Sequence, residues 1–260
     1  MSRSSSRKVA LAGGTRGLGR ALARQLVERG HAVAVLGRDE EQLGRAADDL
    51  RARRGSGAIV ATAVLDLERP ETFGPALDAA AAALGGLDTV VLTAAEFATQ
   101  DALEADLPRL RRLLDVDFTA AVLFCEEARR RLLPSGLDPG AAVAPTLCVF
   151  GSVAGDRARK PVALYGAAKA GLAHYLDGLD LRYSGRGLRV LVVKPGFVRT
   201  AMTQGLPEPP FAADPEPVAR RVATALERGR GGVLYAPPIW RLVMAVVRSL
   251  PRVVMRRARF

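Results

Sequence analysis

With 260 residues and 49% hydrophobic content, the chain suits one large α/β domain and needs no second. Its net charge of +11 does not indicate a nucleic-acid partner: only four of the 38 basic residues are lysines, residues 239–260 concentrate six arginines without one acid, and no aromatic–basic interleaving marks such a surface. Cys125 and Cys148 lie in separate apolar runs and His31 and His174 are isolated, which predicts buried thiols in a reducing compartment and no metal site.

Met1 to Lys8 is polar and basic, without the apolar run of a secretory signal, so a cytoplasmic location is expected. Val9 to Ala12 begins a buried strand that enters Gly13-Gly14-Thr15-Arg16-Gly17-Leu18-Gly19 and then an amphipathic helix through about Arg29. Strand, glycine loop and helix in this order predict a phosphate site involving Gly13, Thr15, Arg16, Gly17, Leu18 and Gly19. Glycines let the backbone approach the ligand, and the helix start offers free N–H groups and positive potential. Ala32 to Leu36 is a second strand ending at Gly37-Arg38-Asp39, where a dinucleotide fold reads the adenosine ribose. An acid there would favour a free 2′-hydroxyl; Arg38, joined by Arg16, favours a 2′-phosphate and therefore NADP(H). Asp39, with Gln42 three residues on, has the pattern of a capping box for a helix through Arg53.

Ala58 to Leu65 is strand three, ending in Asp66-Leu67, followed by a helix from Glu71 to Leu84 and strand four from Asp88 to Thr93. Two helical stretches reach Leu133, a Pro/Gly loop spans Pro134 to Pro145, and Thr146 to Phe150 is strand five. Leu188 to Val193 is strand six, running into Pro195-Gly196-Phe197-Val198-Arg199-Thr200. Apolar strands alternating with helices predict a doubly wound parallel sheet covered on both faces, with ligands at the carboxyl ends of the strands.

Between strands five and six, Gly151-Ser152-Val153-Ala154-Gly155 precedes Tyr165-Gly-Ala-Ala-Lys169 in an Ala-rich helical segment. Tyr165 and Lys169, one turn apart, leave the same helix face, and an ammonium beside a phenol stabilises the phenolate and lowers its pKa. Ser152 would then hold a substrate oxygen within reach of the phenol. In isolation the pair reads as two exposed helix residues; its setting makes it a proton-transfer site.

These motifs resemble the short-chain dehydrogenase/reductase family over essentially the whole chain. Its TGxxxGxG loop matches Ala12 to Gly19 with Ala in first place, and its Ser, YxxxK and PG-x-V-x-T match Ser152, Tyr165 with Lys169, and Pro195 to Thr200. The resemblance implies a Rossmann-type fold and NADP(H)-dependent ketone reduction. It places Asp66, with Leu67 beside it, near the adenine, and has Tyr165 and Lys169 also contacting the nicotinamide ribose. Pro195 and Gly196 fall in the same cofactor-binding run, in which Val198 and Thr200 fix the carboxamide and diphosphate end. Two departures stand out: NNAG is replaced by Leu92-Thr93-Ala94-Ala95, which keeps small residues such as Ala94 where the cofactor passes, and the usual catalytic Asn corresponds to Asp117.

A narrower resemblance, in Gly151 to Arg157, Lys194 to Thr203 and Arg248 to Pro251, is to actinobacterial decaprenylphosphoryl-2-keto-β-D-erythro-pentose reductases. It implies a lipid-linked keto-sugar as substrate. The other readings are a natural-product ketoreductase and a non-catalytic dinucleotide-binding regulator. The division expected is a catalytic domain over 1–238 and a basic extension over 239–260. Ile239 to Val247 is apolar, carries Trp240 and leads into arginines, which suits either peripheral contact with an anionic membrane or packing on the fold or a second subunit. A homo-oligomer, dimer or tetramer, is expected.

Overall fold

The computed structural model describes residues 6–133 and 143–257, the side chain of Ser56 apart; most of the expected Pro134–Pro145 loop lies outside the described residues. Seven strands, β1 (Lys8–Ala12), β2 (Ala32–Gly37), β3 (Val60–Val64), β4 (Thr89–Leu92), β5 (Thr146–Phe150), β6 (Arg189–Pro195) and β7 (Gly232–Ala236), form one sheet. Its order is β3-β2-β1-β4-β5-β6-β7, every pairing parallel. The chain winds outward from β1 to β3, then crosses to β4 and winds the other way. This is the Rossmann-type doubly wound sheet in a single domain, and its crevice opens between the carboxyl ends of β1 and β4.

Buried on both faces, β1, β4 and β5 read as continuous apolar runs. One face packs against α3 (Phe73–Leu84), α6 (Ala121–Leu132) and α7 (Ala163–Tyr183). The other packs against α1 (Gly17–Glu28), α2 (Glu40–Arg54) and α8 (Pro215–Glu227). Between β4 and α6 lie α4 (Gln100–Glu104), α5 (Leu107–Leu114) and a π-helical turn at Asp115–Ala120; α9 (Ile239–Ser249) and α10 (Arg252–Arg257) close the described chain.

The structure departs from expectation at the margins of the sheet. Strand three is shorter than Ala58–Leu65, because a turn at Gly55–Gly57 delays its start and the strand is a half-exposed edge. β7, absent from the sequence reading, is a five-residue edge strand whose first two residues are exposed, so its apolar pattern is too short to stand out. The polar N-terminal tail ends sooner than expected: Arg7 is buried under the amino ends of the strands, where its guanidinium meets Thr89 Oγ1 at 2.9 Å and Asp88 at 3.6 Å. Among the described residues no helix is long and apolar enough to cross a membrane.

Candidate active site

The glycine loop leaves β1 and enters α1 with its backbone pressed against the end of β4. Gly13 has φ +89°, and a Cβ there would lie 2.6 Å from the Ala94 nitrogen; one at Gly19 would lie 2.0 Å from the Gly13 carbonyl oxygen. Thr93, in the altered NNAG segment, directs its hydroxyl at the carbonyl oxygens of Ala12 (3.0 Å) and Gly13 (3.1 Å), so a side-chain tie between β4 and the loop is retained. Gly17 faces Thr200, whose Cγ2 is 3.4 Å from where a Gly17 Cβ would stand. The Pro195–Thr200 run therefore reaches the start of α1, whose first turn carries no acid and leaves its N–H groups available to phosphate.

From this cradle a cavity extends along the ends of β2 and β3, past Thr15, Arg16, Arg38, Asp66, Leu67 and Ala94. Asp39 caps α2, accepting from the Gln42 N–H at 3.0 Å; this contact, with a second from the Gln42 side chain at 2.7 Å, holds the Asp39 carboxyl below its ordinary pKa. Gln42 in turn accepts from Arg16 Nε at 2.7 Å. Arg38 lies 3.7 Å from Glu68. Glu68 is itself held by Arg112 at 2.7 and 3.1 Å, and Arg112 also reaches Glu96 at 3.0 Å. Glu68, Glu96 and Arg112 were not anticipated; they come from three separate segments, and no local spacing connects them. The glycine cradle and the cation-bearing cavity fit a nicotinamide dinucleotide, phosphates at α1 and adenosine towards Arg38.

On the other side of the crevice the Ser152 turn and α7 touch backbone to backbone. A Cβ at Gly155 would stand 2.8 Å from the Lys169 carbonyl carbon, and one at Gly166 2.7 Å from the Ala154 carbonyl oxygen. That close approach brings Ser152 alongside Tyr165, and Ser152 Oγ accepts from the Ala154 N–H at 3.0 Å. Lys169 Nζ lies 5.6 Å from the centre of the Tyr165 ring, and Phe97 meets that ring edge-on at 5.0 Å.

The π turn widens the helical path between α5 and α6 and turns the adjacent Val116 and Asp117 both inward. Asp117 Oδ1 accepts from the Glu96 N–H at 2.6 Å, and Oδ2 lies 3.1 Å from Lys169 Nζ, both side chains almost wholly buried. Among the described residues Oδ2 has no well-directed hydrogen bond, so this contact is an ion pair first. Burial raises the Asp117 pKa, opposed by the Lys169 charge and the Glu96 N–H. Burial lowers that of Lys169, but Asp117 and Tyr165 together outweigh it and the ammonium is held.

Lys169 draws the phenol pKa down as expected, but burial outweighs it. Burial raises the pKa of Tyr165 above that of an ordinary phenol; Lys169 and a Ser152 hydrogen bond pull it down, Asp117 pushes it up, and the net shift is upward.

The C-terminal segment packs its inner face on this region: Trp240 and Met244 are buried with Val153, while Leu242 and Val246 stay exposed on the outer face. Cys125 and Cys148 are buried free thiols, as expected.

Residues 7–210 match the short chain dehydrogenase family. An uncharacterized oxidoreductase of Mycobacterium tuberculosis is 34% identical over 250 residues, covering 96% of each chain. Among solved structures, a 3-oxoacyl-[acyl-carrier protein] reductase of Brucella melitensis in complex with NAD aligns with TM-score 0.76 at 25% identity, over 89% of this chain and 96% of that one. A short chain dehydrogenase of Burkholderia cenocepacia in complex with NADP aligns with TM-score 0.74 at 26% identity, over 88% and 95%. A family match over most of the chain, a full-length relative and a matching sheet agree: the chain belongs to the short-chain dehydrogenase/reductase family and is an oxidoreductase that binds a nicotinamide dinucleotide.

Proposed function

We propose that the protein is an NADPH-dependent reductase of a ketone to a secondary alcohol. The observation that carries this reading is the convergence of Ser152, Tyr165 and Lys169 beside the glycine cradle. When bound, the dinucleotide supplies the hydride. Gly13, Thr15, Gly17, Leu18, Gly19 and Thr200 would hold its phosphates, Asp66, Leu67 and Ala94 its adenine side, and Pro195, Gly196 and Val198 its carboxamide end. Ser152 would orient the carbonyl oxygen, and Tyr165 would give its phenolic proton to that oxygen. A phenol pKa above the ordinary value keeps that proton in place at neutral pH, which suits reduction. Lys169, held as a cation by Asp117, would stabilise the phenolate left behind.

For the choice of NADPH, support comes from Arg38 and Arg16 on one cavity, with Glu68, 3.7 Å from Arg38, drawn into a closer pair with Arg112. Tyr165→Phe should lower turnover by about 10²- to 10⁴-fold with dinucleotide affinity retained. Turnover equal to an active wild type would remove Tyr165 as the proton donor, and no ketone turnover above background in either would favour a non-catalytic dinucleotide-binding regulator.

The substrate class we favour is a lipid-linked ketone such as a keto-sugar, met by a cytoplasmic enzyme in peripheral contact with a membrane. Exposed Leu242 and Val246 on α9 and Val253 and Val254 on α10, among Arg241, Arg248, Arg252, Arg256 and Arg257, support that contact. A soluble natural-product ketone is the alternative, and an NADPH-oxidation screen of lipid-linked keto-sugars against soluble ketones separates the two. Exposed Phe118, Leu123 and Leu181 support a homo-oligomer.

A further inference from the structure

Resting on the reductase reading, we infer that Trp240 is a positioning residue of the reaction: it wedges the Gly196 turn against the Ser152 turn and fixes the slot between them under the segment from Thr200 to Pro215. The C-terminal extension is then a working part of the active site.

Three observations about one side chain carry the inference. Trp240 is 7% exposed and buried with Val153, the neighbour of Ser152, and with Met244. A Cβ at Gly196 would stand 1.8, 2.1 and 2.4 Å from three atoms of the indole, so the indole occupies the space a side chain at 196 would take. The ring also meets Phe211 edge-on at 6.5 Å. Phe211 belongs to the Thr200–Pro215 segment and holds φ +65°, a conformation L-residues other than Asn and Asp seldom adopt, so contacts around it must hold it there. The Ser152 turn, the turn proposed to meet the carboxamide end of the dinucleotide and the Thr200–Pro215 segment thus meet at one indole.

The extension that delivers this indole is pinned to the Ser152–Tyr165 loop. Buried Asp156 pairs with Lys194 of β6 and accepts from the Tyr235 hydroxyl of β7 at 2.7 Å. Arg157 donates to the Leu250 carbonyl at 3.0 Å, and Lys160 donates to the Arg256 carbonyl. These bonds fix α9 and α10 relative to the loop, as a wedge requires. Among the described residues the buried indole N–H has no hydrogen-bond partner.

The test compares Trp240→Ala, Trp240→Phe and Met244→Ala in ketone reduction, with melting temperatures measured in parallel. Trp240→Ala should lower kcat/KM about tenfold to a hundredfold, with ketone KM raised, since sub-ångström placement of reacting groups is lost. Met244→Ala removes a buried side chain of the same helix and the same apolar cluster while leaving the indole in place, and should stay within about threefold of wild type. Trp240→Phe keeps a ring in the slot and should restore most of the loss.

Gly196→Ala should be impaired in the wild-type background and improved by adding Trp240→Ala, because the two groups compete for one space. Wild-type kcat/KM in Trp240→Ala would overturn the inference, as would losses in Trp240→Ala and Met244→Ala that simply follow their melting temperatures. If the wild type reduces no ketone, the reductase reading fails on its own. The wedge is then read through NADPH affinity, which Trp240→Ala should weaken about tenfold and Met244→Ala should not; equal affinities would overturn it.

Discussion

Asp117 Oδ2 lies 3.1 Å from Lys169 Nζ, in a place from which water is almost wholly excluded. Its other oxygen holds the Glu96 N–H at 2.6 Å, so one carboxylate ties the segment after β4 to the lysine beside Tyr165. Its negative charge is one of the causes that raise the phenol pKa. Removing the charge lowers that pKa, and alcohol oxidation, which needs the phenolate, should become faster at lower pH. Asp117→Asn should therefore move the oxidation profile towards lower pH while leaving reduction near pH 7 comparatively unchanged, since reduction uses the protonated phenol. Lys169 would also lose its buried partner, at a cost of about 3 kcal/mol of stability. Rate profiles in both directions check this, and superimposable oxidation profiles would mean that Asp117 does not tune the tyrosine.

Arg38 and Arg16 should set the choice between dinucleotides. A charge-assisted contact to a 2′-phosphate contributes about 1.5–3 kcal/mol, so Arg38→Ala should reduce the NADPH:NADH affinity ratio roughly tenfold to a hundredfold. Arg16→Ala should act in the same direction less strongly, because its Nε is already engaged with Gln42. Dissociation constants for both dinucleotides check this; an unchanged ratio in Arg38→Ala would show that another group reads the phosphate.

Deleting the C-terminus would confuse two effects, because Trp240 and Met244 belong to the fold. Leu242→Glu and Val246→Glu alter only exposed positions of α9 and should leave the melting temperature within about 2 °C of wild type. Sedimentation with vesicles containing anionic lipid should show weakened binding in both variants. Binding equal to wild type, or none in the wild type, would leave α9 with a packing role only.

Asp49 accepts from Arg24 at 2.8 and 3.1 Å, with Arg53 at 3.4 Å and Arg20 at 3.5 Å, and so joins α1 to α2. The hydrogen bond from Arg24 holds its pKa below the ordinary value, against burial. A depressed carboxylate contributes stability above its unfolded pKa of about 3.9 and loses it as pH falls through the lower folded value. Asp49→Asn should therefore cost about 1 kcal/mol at pH 7, a difference that narrows below about pH 4. Urea midpoints at pH 7 and pH 3 check this, and an equal gap at both would exclude the ionic origin.

Where function depends on neighbours along the chain, the sequence was readable. Gly13, Gly17 and Gly19 are spaced by the strand-to-helix turn they serve, and Tyr165 and Lys169 by one turn of α7. The reading weakened where position depended on which elements pack together. β7 escaped notice because a short, half-exposed edge strand carries little apolar periodicity. The lowering effect of Lys169 on Tyr165 is visible at i+4, whereas the burial that outweighs it is a property of the folded core.

The sequence by itself determined the alternating parallel sheet, the glycine loop that opens α1 and the placing of Tyr165 and Lys169 one helical turn apart, because all follow from local periodicity and from conformations that particular residues permit. Only the tertiary structure decided that Asp117 meets Lys169, that Arg112 pairs with Glu68 beside Arg38, and that Trp240 fills the space left by Gly196. Each of these joins residues more than 40 positions apart. Such contacts are set by which helix faces pack on which strand ends, and the Coulomb and packing energies that hold them exist only once water has been excluded between them.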